Sequence, residues 1–104
     1  MRGEIWMIDL GLAAKPRPAV ILSVPFLDDE KAVVTFVGRT TQPRGGRFEV
    51  EHRAPQFLPG VFYAQNLGTV PTAKLMRRLG RLPAREFADL EGAVKRWLGF
   101  GDAV

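Results

Sequence analysis

Arg17 stands between Pro16 and Pro18. The two prolines hold the backbone around it extended and restrict its freedom, and an arginine fork on a stiff segment can clamp a phosphate. The plainer interpretation is a surface arginine guarding the apolar strand that follows. Thr40 and Thr41, beside Arg39, offer hydroxyls that can hydrogen-bond a phosphate oxygen. Threonine at a strand end is also common for propensity alone. The next loop gives these residues weight: Arg39, Arg44, Arg47 and Arg53 fall within 15 positions of one another. Gly45 and Gly46 let that backbone approach a ligand closely. Glu49 and Glu51 temper the basic patch, and a solvated strand face is the competing interpretation.

Other chemistries are narrowed by what the chain lacks. It has 104 residues, no cysteine and one histidine, His52. Disulfides, thiol nucleophiles and thiolate zinc sites are therefore excluded, as is a paired-histidine nuclease. No glycine-rich nucleotide cradle appears, and Ser23 has no histidine near it in sequence for a hydrolase triad. No cofactor is expected, and any metal site would have to be almost wholly carboxylate. His52 follows an alternating strand and is expected exposed at its end, with an acid–base role as the functional alternative. The acidic turn Asp28 to Glu30 reads as solvated rather than as a cation site. Basic residues outnumber acidic ones 15 to 11, and eleven of the basic residues are arginines. A small basic domain suits nucleic acid, although an arginine-rich composition alone gives the same balance.

The elements that must position these groups are short. Glu4 to Leu10 reads as a first strand, with Trp6, Ile8 and Leu10 on one face. Gly11 to Pro18 is a turn-rich connection, and the unbroken apolar run Ala19 to Val24 reads as a buried central strand. Ala32 to Val37 is a third strand, and Gln42 to Arg47 a glycine-rich loop. Phe48 to Glu51 alternates as a half-exposed strand does, and Val61 to Ala64 is a fifth after the turn at Leu58 to Gly60. Thr72 can cap a short helix through Leu75, Met76 and Leu79, ended by Gly80. Pro83 suits the start of a last helix, where Phe87, Leu90, Val94, Trp97 and Leu98 share a face. Trp97 is expected in the core or a dimer contact. The pattern is mainly β with α, a small antiparallel barrel closed by a C-terminal helix, in one domain spanning residues 1–104. No apolar run approaches the ~18 residues of a membrane span. The N-terminus enters strand-like sequence at once, so the cytoplasm is the expected location.

The order of segments resembles the MazF/PemK-type toxins of type II toxin–antitoxin systems, the mRNA interferases. Arg2-Gly3-Glu4-Ile5-Trp6 and Arg17-Pro18-Ala19-Val20-Ile21-Leu22-Ser23 are similar to that family's opening. Thr40-Thr41-Gln42, the glycine pair and Phe48-Glu49-Val50 continue the likeness, followed by Gly60-Val61, Asn66, Thr69 and Gly80-Arg81-Leu82. The likeness runs from Arg2 to about Phe100. It implies an SH3-like barrel of the PemK/CcdB type, a homodimer, and a sequence-specific endoribonuclease acting on single-stranded RNA without metal. It also implies a cognate antitoxin with an acidic, disordered tail. The family's catalytic arginine and threonine fall on Arg17 and Thr40. Arg39, Thr41, Gln42, Arg44, Arg47 and Asn66 are then the expected RNA contacts. The first loop, Gly11 to Pro16, is short and lacks the family's glutamate. Gln65, Asn66 and Gly68 stand where many members carry Asp-Gln followed by a base, so a substrate sequence preference does not carry over. Two alternatives remain: a non-catalytic toxin of the same fold that binds a protein such as gyrase, and a plain RNA-binding barrel.

Overall fold

A computed structural model describes residues 1–11, 15–52 and 60–101. Arg53, part of the first loop (12–14) and most of the turn before Gly60 lie outside those residues. Six strands follow one another as β1 (Glu4–Ile8), β2 (Arg17–Ile21), β3 (Val33–Thr40), β4 (Glu49–Glu51), β5 (Val61–Pro71) and β6 (Leu75–Arg81). One helix, α1 (Ala84–Leu98), ends the sequence of elements. The strands form a single antiparallel sheet in the order β4-β5-β3-β2-β1-β6. The fold is thus mainly β with one helix, as expected. The sheet is barrel-like without full closure, since β4 and β6 are its edges.

Alternation along the strands divides the apolar residues between two faces. One set, Ile5, Val20, Val37 and Phe62, is buried under Leu90 of α1, with Leu82, Phe87 and Val94 packed alongside. The other set, Ile8, Ala19, Ile21, Val34 and Phe36, forms a second cluster rimmed by Trp6, Val70 and Leu75. Each large apolar side chain so buried contributes about 1.5–3 kcal/mol. The helix starts after Pro83 and ends at Gly99, whose φ of 76° is the left-handed turn that lets Phe100 N–H bond the Lys95 carbonyl. Trp97 is not core: it is 43% exposed, with one ring edge against Phe48 at 5.5 Å between centroids.

One expected element is replaced by another. The segment from Thr72 is not a helix but a three-residue 3-10 turn, Thr72–Lys74, leading into β6. β6 pairs with β1 through two register shifts, at Met76 and at Leu79. Each shift inserts an unpaired residue, which breaks the strict alternation by which a strand is read and leaves the four-residue spacing of Leu75 and Leu79 as the visible pattern. Glu4 anchors this edge by accepting from the Trp6 indole N–H at 3.2 Å and from Arg78 Nε at 2.9 Å. The indole hydrogen bond, with the N-terminal, Arg78 and Arg81 charges, holds its carboxyl below the usual range.

Candidate functional site

Strand register brings Arg17 and Thr40 together. Ala19 pairs with Gly38, Val20 with Val37 and Ile21 with Phe36. The ladder ends at Ala19 and Gly38, and Arg17 and Thr40 stand two residues beyond it on their strands. β2 begins at Arg17 and β3 ends at Thr40, so the pair sits at the rim of the sheet. Both line a cavity of about 430 Å³ floored by Ile8, Ala19, Phe36 and Gly38 and bordered by Leu10, Thr41, Gln42 and Asn66. Arg17 is exposed and forms no ion pair among the described residues.

The Thr40 hydroxyl is oriented by its own loop. Gln42 N–H donates to Thr40 Oγ1 at 3.1 Å. With one lone pair engaged, the hydroxyl proton remains a donor for an anion in the cavity. Asn66 reaches in across Gly38, where a Cβ would lie 2.9 Å from the Asn66 Cγ and closer still to its amide nitrogen. Gly38 is therefore the space that admits the carboxamide.

A second cavity of about 340 Å³ adjoins the first, sharing Thr40, Gln42 and Asn66 and adding Arg44, Glu49 and Tyr63. Glu49 shapes its loop, accepting from Arg44 N–H at 2.7 Å and Gly45 N–H at 2.9 Å. Gly45 has a φ of 75°, a left-handed conformation that favours glycine. Of the remaining expected contacts, Arg47 lines neither cavity. Its guanidinium lies over the Phe48 ring, 4.5 Å from the centroid, a cation–π contact on the Trp97 side.

Arg39 borders the first cavity, while its Nε–H is engaged on the other side of the sheet. Adjacent strand residues face opposite sides, and Arg39 shares the face of Val37 rather than that of Thr40. It is 8% exposed, and its Nε–H donates to His52 Nε2 at 2.7 Å. Burial lowers its pKa from the usual arginine value. His52 is accordingly half-buried rather than exposed, its ring tilted on Phe62 at 4.9 Å between centroids. Burial and then the Arg39 charge hold its imidazole below the ordinary value, while Glu86 acts the other way. Sequence reasoning missed this pair because it placed Thr40 and Thr41 at the end of the third strand beside Arg39 without assigning Arg39 a face, and expected His52 to be exposed. Among the described residues no cluster of His, Cys, Asp or Glu is arranged to hold a metal ion. In the same residues no helix is long and apolar enough to cross a membrane.

Residues 1–98 match the model of the PemK-like, MazF-like toxins of type II toxin–antitoxin systems, and the chain belongs to that family. Among solved structures it is similar to a mycobacterial endoribonuclease in complex with its cognate antitoxin, with a TM-score of 0.83 and 26% identity. That match covers 97% of this chain and 96% of the other. The Mycobacterium tuberculosis toxin MazF-mt6 superimposes with a TM-score of 0.79 at 29% identity, over 94% of this chain and 98% of the toxin. A chain from the MazE-MazF structure of Deinococcus radiodurans shares the fold, with a TM-score of 0.81 at 22% identity over 96% and 95% of the two chains.

Proposed function

We propose that this toxin is a sequence-specific endoribonuclease that cleaves single-stranded RNA at the Arg17–Thr40 cavity. The carrying observation is that Arg17, which forms no ion pair among the described residues, and the oriented Thr40 hydroxyl line one cavity where β2 begins and β3 ends. RNA brings its own nucleophile, the 2′-hydroxyl, held next to the scissile phosphate by the ribose. The 2′-oxygen forms a bond to phosphorus, and the bond from phosphorus to the 5′-oxygen breaks. One proton leaves the 2′-oxygen and one arrives at the 5′-oxygen, so the products are a 2′,3′-cyclic phosphate and a 5′-hydroxyl. Arg17 neutralises charge on the phosphorane, and the Thr40 hydroxyl donates to a non-bridging oxygen. A guanidinium is a poor proton donor, so Arg17 acts through its charge. Solvent water takes the proton from the 2′-oxygen and returns one to the 5′-oxygen, while Arg17 and Thr40 meet the charge on phosphorus.

Thr41, Gln42, Arg44 and Asn66 contact the RNA on either side of the scissile phosphate. Arg39 serves from beneath the sheet, and Arg47 contacts strand lying toward Phe48. The same proposal includes a homodimer, a cytoplasmic location and an antitoxin whose acidic tail competes for the basic rim. The test is cleavage of long single-stranded RNA in EDTA. Wild type is expected to give discrete fragments with cyclic-phosphate ends, and Thr40→Ala to cut about 30–100-fold more slowly, as for loss of one oriented donor. A folded wild-type protein that cuts nothing overturns the reading and leaves an RNA-binding barrel or a toxin aimed at gyrase.

Gly38→Ala separates binding from folding in the same cavity. Its Cβ displaces Asn66, a flexible side chain, so melting changes by less than about 4 °C. Affinity for a 2′-deoxy oligonucleotide, measured by fluorescence anisotropy, falls about five- to tenfold through loss of one hydrogen-bonding group. Unchanged affinity removes Asn66 from the RNA contacts.

A further inference from the structure

We propose that the Arg39–His52 pair is a pH-dependent clamp that sets the position of Thr40 from the far side of the sheet, which makes His52 a positioning residue. Its consequence for cleavage rests on the ribonuclease reading; its consequence for the position of Thr40 does not. Arg39 and Thr40 are consecutive on β3 and face opposite sides, so whatever fixes the Arg39 guanidinium also fixes the backbone that carries Thr40. Two groups do so. His52 Nε2 accepts from Arg39 Nε–H at 2.7 Å. Gly60 lies against both residues: a Cβ there would stand 3.0 Å from Arg39 Cζ and Nη2 and overlap the Thr40 carbonyl oxygen. His52 is itself held by Phe62, the β5 residue paired with Arg39.

This geometry demands a neutral imidazole with its proton on Nδ1, because Nε2 is the acceptor. Protonating Nε2 removes the acceptor and leaves two cations at hydrogen-bond separation. Among the described residues, the charged groups facing the ring include Arg39 from β3 and Glu86 from the first turn of α1, while β5 presents Phe62. Glu86 offsets part of the repulsion but does not restore the lost bond. Arg39, 8% exposed and seated beneath Gly60, cannot retreat without moving the end of β3. The folded environment disfavours the charged ring, so the native state binds fewer protons than the unfolded chain between the lowered pKa and the ordinary one. The clamp is intact above the ordinary imidazole range and is lost as pH falls through the lowered value.

The test follows the Thr40 methyl and the His52 ring protons by NMR in the full chain without RNA, between about pH 7.5 and about pH 5. In wild type the two are expected to titrate with one midpoint. In His52→Gln, which keeps an acceptor for Arg39 but does not ionise, the methyl signal stays flat. With RNA, wild-type kcat falls about fivefold over the same acid limb with KM nearly constant, and His52→Gln lacks that limb. A Thr40 methyl indifferent to the His52 titration overturns the clamp, as does an acid limb retained in His52→Gln. If wild type cuts RNA at no pH, the ribonuclease reading fails while the methyl titration still decides the clamp. The wild-type titration decides it alone if the variant does not fold.

Discussion

Arg17→Ala lowers kcat for RNA cleavage about 10²–10³-fold while KM rises less than about tenfold. Those magnitudes follow from removing a charge that matters most when the phosphorane forms. A phosphodiester in the ground state carries one negative charge, and the transition state gathers more on the same oxygens. The lost interaction is therefore larger in kcat than in binding. The effect is also separable from folding. Arg17 is exposed at the first position of β2 and makes no ion pair among the described residues, so the variant is expected to melt within about 2 °C of wild type. Arg17→Lys restores the charge but not the planar fork and recovers only part of the rate. Single-turnover kinetics on a short oligonucleotide, with circular dichroism melting of each variant, are the measurements. Cleavage by Arg17→Ala within about tenfold of wild type removes Arg17 from the chemistry.

The pairing of Arg17 with Thr40 shows how far the sequence alone reaches. Both residues are conspicuous by type and neighbourhood, and the family resemblance ranks them. Their juxtaposition is a matter of register between two strands, and a one-residue slip would put them on opposite faces. The apolar runs of β2 and β3 were legible, and so was Thr40 as the end of β3, yet the bounds of β2 were not: it runs from Arg17 to Ile21 rather than from Ala19 to Val24. That difference of two or three residues decides which side chains share the cavity. Arg39 entered the basic patch by proximity in sequence, and alternation along β3 adds that its Nε–H is turned to His52 while the residue still borders the cavity. The burial of His52 depends on α1 and β5, elements far along the chain, so no local pattern signals it. β6 misled for a related reason, since its two bulges break the period of two by which a strand is recognised. The last helix was readable because Phe87, Leu90 and Val94 keep an unbroken helical period against one core.

Gly60→Ala tests whether the end of β3 is as tightly held as the clamp requires. The new Cβ would overlap the Thr40 carbonyl oxygen, a backbone atom that no rotamer change can move, and press on Arg39 Cζ at 3.0 Å. Relief requires shifting either the start of β5 or the end of β3, where Thr40 pairs with Val61. Overpacking of this kind costs about 1–3 kcal/mol, and a clash with backbone falls at the upper end. A loss of about 3 kcal/mol lowers the melting temperature of a domain this size by roughly 10–15 °C. Gly46→Ala is the matched control, because a Cβ there meets nothing within 4 Å, and it should melt within about 3 °C of wild type. Both variants add one methyl group, so the contrast isolates the position rather than the residue type. Below its transition, Gly60→Ala is also expected to cleave more slowly than Gly46→Ala, because the shift that relieves the clash moves the carbonyl of the residue whose hydroxyl faces the cavity. Equal melting of the two variants means that the β3–β5 junction yields easily, and the rigidity that couples Arg39 to Thr40 is then missing.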